Sequence, residues 1–75
     1  MTAREARPPW RAVADALRER IERGEWPPGA LLPSLSALAA EYGVSVSTAR
    51  KAVAALRDAG LIESVQGWGS FVRQK

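Results

Sequence analysis

Between Ser45 and Lys51 the chain gathers the hydroxyls of Ser45, Ser47 and Thr48 and then the cations of Arg50 and Lys51. Hydroxyls donate and accept hydrogen bonds. Arginine adds a planar fork that reads guanine O6/N7 or clamps a phosphate, and lysine suits a phosphate as a point charge. If Ser45 opens a helix, the free N–H groups and partial positive charge of that end make a natural seat for an anion. The chemistry implied is recognition of a polyanion. The plainer reading of the same residues is a capping serine followed by solvated charges; the turn before them and the hairpin after them favour recognition.

A second cluster is Gln66-Gly67-Trp68-Gly69. Two glycines let a backbone approach another surface closely, and they equally suit an ordinary tight turn that needs positive φ. Trp68 either folds back onto the body or touches a partner. Arg73 and Lys75 follow it and are within reach of flanking phosphates.

The elements that must position these residues can be read from period and punctuation. Pro8-Pro9 can start a helix, and Trp10, Ala14, Leu17 and Ile21, with Val13 beside them, recur at helical spacing until Gly24 ends the run. Arg18–Glu22 and Glu19–Arg23 are expected as i,i+4 pairs on its outer face. Trp26-Pro27-Pro28-Gly29 must turn, and Ala30-Leu31-Leu32 is a short extended piece. Ser34 caps a second helix with Leu35, Leu38, Ala39 and Tyr42 on one face, which Gly43 breaks in a left-handed conformation. Ser45 caps a third, with Ala49, Ala52, Val53 and Leu56 inward, ended by Gly60. Leu61–Val65 and Ser70–Arg73 then pair as a hairpin around residues 66–69.

Small residues at Ala39, Gly43, Ala49 and Ala52 let the second and third helices cross closely and steeply, as in a helix-turn-helix. The expected fold is mainly α with a small β-hairpin, a winged helix-turn-helix of three helices plus wing. Residues 1–7 are expected as a flexible basic arm and residues 8–75 as the domain. A lone hairpin is marginal in water, so this one must pack on the helices, with the piece near Leu31 available as a third strand. The inward alanines of helix 3 argue against an internal ligand cavity. Trp10 and Trp26 read as core or edge packing.

Bulk properties agree. Seventy-five residues allow one small domain, which buries only about 60% of its unfolded surface. No cysteine excludes disulfide staples, and the absence of histidine as well removes the usual zinc ligands. No apolar run approaches the roughly 20 residues of a membrane span. The net charge is +3, distributed as +2 over residues 1–11, −2 over 12–43 and +3 over 44–75, a balance that suits a nucleic-acid partner and equally a solvated surface with an accidental imbalance.

Taken together, Gly24-Glu25-Trp26-Pro27-Pro28-Gly29, Leu32-Pro33-Ser34, Leu38-Ala39, Gly43-Val44-Ser45, Thr48-Ala49-Arg50-Lys51-Ala52, Leu56, Ala59-Gly60-Leu61 and Gln66-Gly67-Trp68-Gly69-Ser70-Phe71-Val72 resemble the N-terminal winged helix-turn-helix domain of GntR-family bacterial transcription regulators. The resemblance runs from about Pro9 to Val72. It implies that the start of helix 2, the first turns of helix 3 and the wing tip face DNA, which carries over to Ser34, Ser45, Ser47, Thr48, Arg50 and Gly67. With Ser36, Val46, Lys51, Trp68 and Gly69 from the same segments, these make up the expected DNA-contacting set. Three cations usual in the family are replaced. Leu35-Ser36 stands where Glu-Arg is usual, Val46 where an arginine reads a base, and Trp68 where a basic residue is common at the wing tip. Val46 can still pack on a thymine methyl, and Leu35 is open to a dimer contact or to local packing.

The leading expectation is a sequence-specific double-stranded-DNA-binding regulator, a repressor acting by promoter occlusion, with helix 3 in the major groove and the wing at the flanking minor groove. A homodimer on paired half-sites would enlarge its footprint. The family usually continues into a ligand-binding, dimerising domain, whereas this chain stops at Lys75, so no small-molecule effector and no cofactor are expected. Cytoplasmic, nucleoid-associated placement follows. The competing readings are a winged-helix protein-interaction module, favoured by Trp68 and the replaced cations, and an architectural DNA binder of plasmid or phage type. An enzyme is not expected, for want of histidine, cysteine, a P-loop or a suitably placed acid pair.

Overall fold

The computed structural model describes residues 9–73. The expected arm at residues 1–7, with Arg4 and Arg7, lies outside the described residues, as do Pro8 and Lys75. Helix α1 (Pro9–Glu22), helix α2 (Leu35–Tyr42), helix α3 (Val46–Asp58), strand β1 (Ile62–Val65) and strand β2 (Gly69–Val72) follow one another along the chain. Three helices and an antiparallel hairpin make the winged helix-turn-helix that the sequence predicts.

The apolar stripe of α1 buries Val13, Ala14 and Leu17, with Trp10 and Ile21 partly covered at its ends. The i,i+4 pairs expected on its outer face do not close. The ion pairs formed among the described residues are Arg20–Glu25, Arg20–Glu41 and Arg73–Glu63. Solvated i,i+4 pairs contribute only about 0.2–0.5 kcal/mol each, too little to hold long side chains in one geometry.

Helices α2 and α3 begin alike. Ser34 Oγ accepts a hydrogen bond from the Ala37 N–H at 3.1 Å, and Ser45 Oγ accepts one from the Thr48 N–H at 3.1 Å. Each satisfies a donor the helix cannot, a contribution of about 1 kcal/mol. Between them Gly43 sits at φ 65°, ψ 36°. Its N–H and that of Val44 donate back to the Ala40 and Ala39 carbonyls at 3.4 and 2.9 Å, a Schellman closure. The left-handed residue turns the chain sharply enough for α3 to start after only Val44 and Ser45. Helices α2 and α3 pack on each other, and Ala39, Ala49 and Ala52 are buried, small side chains that suit a close approach.

The hairpin pairs Ile62 with Val72 through Val65 with Gly69. It is displaced by one residue at each strand start from the expected 61–65 and 70–73. Leu61 is withheld from β1 because its N–H donates to the Leu56 carbonyl at 3.0 Å, closing α3. The tip is a three-residue loop in which the Trp68 N–H reaches the Val65 carbonyl at 3.0 Å. Gly67, at φ 84°, supplies the positive φ this turn requires. On the other edge of β2, Leu31 bridges Phe71. The Leu32 N–H donates to the Ser70 carbonyl at 2.8 Å, and the Val72 N–H to the Ala30 carbonyl at 2.9 Å. The extended piece therefore does serve as a third partner, and Leu32 and Val72 enter the core beside it. Leu17, Leu38 and Ile62, one each from α1, α2 and β1, are the largest fully buried side chains, so the helices and the hairpin base share one core and the tip projects from it.

Candidate nucleic-acid interface

Helix α3 divides its residues by side. Ala49, Ala52, Val53 and Leu56 are buried, while Val46, Ser47, Arg50, Lys51 and Arg57 are exposed. The cations are on the open side because the 3.6-residue period that buries the alanines leaves positions 47, 50, 51 and 57 outward. Among the described residues, Arg50, Lys51 and Arg57 form no ion pair and no side-chain hydrogen bond. Their charge and donors are available to something outside the fold.

The hydroxyls are less free than the sequence suggests. Ser45 Oγ caps the helix and also lies 3.0 Å from Thr48 Oγ1, to which it donates. Ser34 Oγ is engaged on the Ala37 N–H in the same way. What these ends present is chiefly backbone: the N–H groups of Val46 and Ser47, and of Leu35 and Ser36, precede the capped donors and have no partner within their helices. Ser36 and Ser47 are exposed, with hydroxyls open to solvent. Val46 is 39% exposed at the first position of α3.

An open groove runs between α3 and the wing. Ser34 and Leu35 from the start of α2, Arg50 and Arg57 from α3, and Val65 to Gly69 from the wing border it. Ser34, Arg50, Gly67, Trp68 and Gly69 are thus brought to one concave surface, while Ser45, Val46, Ser47, Thr48 and Lys51 belong to the exposed beginning of α3 that adjoins it. Leu35 packs against the core, so local packing accounts for it. Arg57 was not among the expected site residues. Its spacing of seven from Arg50 puts it two turns along the same side, a signal the sequence does contain.

Arg73 does not reach the tip. It follows the Ile62–Val72 pair at the hairpin base, and its Nε lies 3.5 Å from Glu63 Oε1. Trp68, by contrast, is 73% exposed at the tip. Its ring stands 6.5 Å from that of Phe71 at an interplanar angle of 42°, a tilted contact that braces one side and leaves the rest in water.

Arg20 behaves oppositely to the cations of α3. Its Nε donates to Glu25 Oε2 at 2.9 Å, and its Nη1 donates to Glu41 Oε2 at 2.7 Å and to Tyr42 Oη at 2.8 Å. Its guanidinium carbon sits 4.2 Å from the centroid of the Trp26 ring. The hydrogen bond to Glu25 is the largest influence holding the Arg20 guanidinium above its ordinary value; burial opposes it as the next largest, and Tyr42 and then Glu41 add to the rise. The same bond holds the Glu25 carboxyl below the usual carboxylate range. This cation is consumed in joining the end of α1, the following turn and the end of α2.

The sequence matches the family described as "Bacterial regulatory proteins, gntR family" over residues 9–72. It is similar to the mannosyl-D-glycerate transport/metabolism system repressor MngR of Escherichia coli strain K12, 45% identical over 69 residues that cover 92% of this chain and 29% of that protein. It is also similar to the histidine utilization repressor of Klebsiella aerogenes, 37% identical over 67 residues that cover 89% of this chain and 28% of that protein. The chain thus spans under a third of the length of these curated relatives. Among solved structures, AraR(DBD) in complex with operator ORR3 superposes with a TM-score of 0.83 at 37% identity, covering 87% of this chain and 78% of that one.

Proposed function

The chain belongs to the GntR family of bacterial regulatory proteins, and on that basis we propose that it binds double-stranded DNA sequence-specifically as a transcription regulator, a repressor that occludes a promoter. The observation that carries the proposal is the capped, outward face of α3, on which Arg50 and Lys51 have no protein partner among the described residues. In this reading α3 enters the major groove. The Arg50 fork reads a guanine or clamps a phosphate, Lys51 meets a phosphate, and Val46 packs on a thymine methyl. The N-terminal N–H groups of α2 and α3, with the Ser36, Ser47 and Thr48 hydroxyls beside them, hold the backbone phosphates that fix register. The wing follows into the flanking minor groove.

The names of MngR and the histidine utilization repressor support the repressor assignment, and the operator complex of AraR(DBD) supports DNA as the partner. Two copies on half-sites about one helical turn apart would bind as a homodimer. The proposal places the protein in the cytoplasm at the nucleoid. It assigns no small-molecule effector to these residues. No helix among the described residues is long and apolar enough to cross a membrane.

The test is selection of bound fragments from a random-sequence duplex library at near-physiological salt, followed by a salt titration of the winner. An enriched inverted or direct repeat is the expected result, with half-site spacing giving the stoichiometry. Weak retention with a steep salt slope and no enriched sequence would replace the regulator by an architectural binder. No retention at low salt would overturn the proposal in favour of a protein-interaction module.

A further inference from the structure

The outer half of the hairpin carries no charge: from Ser64 to Val72 there is no Asp, Glu, Lys or Arg. Its exposed side chains include two large apolar ones, Trp68 at the tip and Val65, 43% exposed, at the end of β1, beside the uncharged Ser64 and Gln66. The tip is also thin. A Cβ added at Gly67 would meet nothing within 4 Å, so none of the described residues crowds that side of the turn. Phe71 braces the indole from one side at 6.5 Å. Cations stand close by but on another element, since Arg50 and Arg57 of α3 border the same groove as Val65 and Trp68.

An apolar projection flanked by arginines that have no partner among the described residues complements a surface that is anionic outside and apolar within. A DNA duplex, with phosphates around stacked bases, has that character. Trp68 has no charge to pair with a phosphate and only one N–H donor, so most of its surface can meet nothing but apolar atoms. Inserted apolar side chains partly unstack base steps and kink the duplex. Resting on the DNA-binding reading above, we propose that Trp68 is an apolar wedge: with α3 in the major groove, the indole presses into the adjacent minor groove, opens one base step and bends the DNA. The apolar surface removed from water offsets the lost base stacking. Because pyrimidine–purine steps unstack most easily, the wedge selects such a step at the flank without a hydrogen bond to any base.

The experiment uses the full chain and the duplex recovered from the library, end-labelled with a fluorophore pair and, separately, carrying 2-aminopurine at successive flanking steps. The wild-type protein is expected to raise energy transfer by a bend of roughly 20–90° and to brighten 2-aminopurine at one flanking pyrimidine–purine step. Trp68→Ala is expected to bind on the order of tenfold more weakly, with an unchanged salt slope and no bend. Trp68→Phe is expected to keep most of the bend. Trp68→Lys is expected to lose it while steepening the salt slope by about one. Thermal unfolding of each variant should match wild type, because the side chain is exposed. A duplex bound tightly but left straight by the wild-type protein, or bent equally by Trp68→Ala, overturns the wedge alone. Failure to retain any duplex overturns the DNA-binding reading and the wedge with it.

Discussion

The corner where α1 meets α2 and the face shared by α3 and the wing both depend on arginine, and they use it in opposite ways. Arg20 donates to Glu25, Glu41 and Tyr42 and stacks on Trp26, so most of its donors are engaged within the fold. Arg50 and Arg57 border an open groove with no ion pair or side-chain hydrogen bond among the described residues. An arginine whose fork is already filled has little left for a ligand, whereas one held on a rigid helix with empty donors retains its full charge and geometry. Residue type therefore says little about which arginine binds, and the difference lies in the surroundings.

If that division is right, substitutions in the two regions separate binding from stability. The largest effect is expected at Arg50. Arg50→Ala should cost at least about tenfold in specific DNA affinity while its thermal unfolding curve stays nearly that of wild type. A variant that still footprints at the wild-type concentration would take α3 out of the recognition role. Arg20→Ala should do the reverse, losing about 1–2 kcal/mol of stability. Glu25 and Glu41 remain 42% and 47% exposed, so solvent screens both pairs and limits the loss. That loss corresponds to a melting temperature roughly 4–8 °C lower per kcal/mol, with the affinity of the folded protein unchanged. An intact melting point would show that the corner contributes nothing measurable.

Gly43 tests the junction between the regions. A Cβ there meets nothing within 4 Å, so the cost of Gly43→Ala comes from placing an L residue at φ 65°. It should amount to about 1 kcal/mol in urea unfolding, and no change would mean the turn does not need a left-handed residue. The smallest effect is the pH dependence at Glu25. Its carboxyl is lowered in the folded protein by Arg20, so the folded state holds fewer protons there than the unfolded chain as pH falls through the carboxylate range. Its contribution is present above the ordinary glutamate value and is lost as pH falls through the depressed folded value. Glu25→Gln should flatten that part of the stability–pH curve and leave the neutral region of the curve parallel to wild type.

How much could be read from the chain follows the range of the interaction. Ser34 and Ser45 were legible as caps because each bonds an N–H three residues on, and Gly24, Gly43 and Gly60 as helix ends because closure involves neighbours within one turn. The split of α3 into Ala49, Ala52, Val53 and Leu56 against Arg50 and Lys51 is a matter of helical period. The hairpin was legible to within one residue, and the error at Leu61 arose because helix closure and strand pairing competed for one N–H. The partners of Arg20 were not legible, since Glu41 and Tyr42 lie 21 and 22 residues away and leave no pattern at either position.

Local hydrogen bonding and hydrophobic period, encoded within a few residues, were enough to dictate three helices, their caps, the turn at Gly43 and the side of α3 that faces out. Packing alone decided that Arg20 would be consumed while Arg50 kept no partner among the described residues, and that Trp68 would stand in solvent at the tip. Each of those outcomes depends on which distant surfaces meet when the core closes, and a side chain's availability is whatever that closure leaves unpaired.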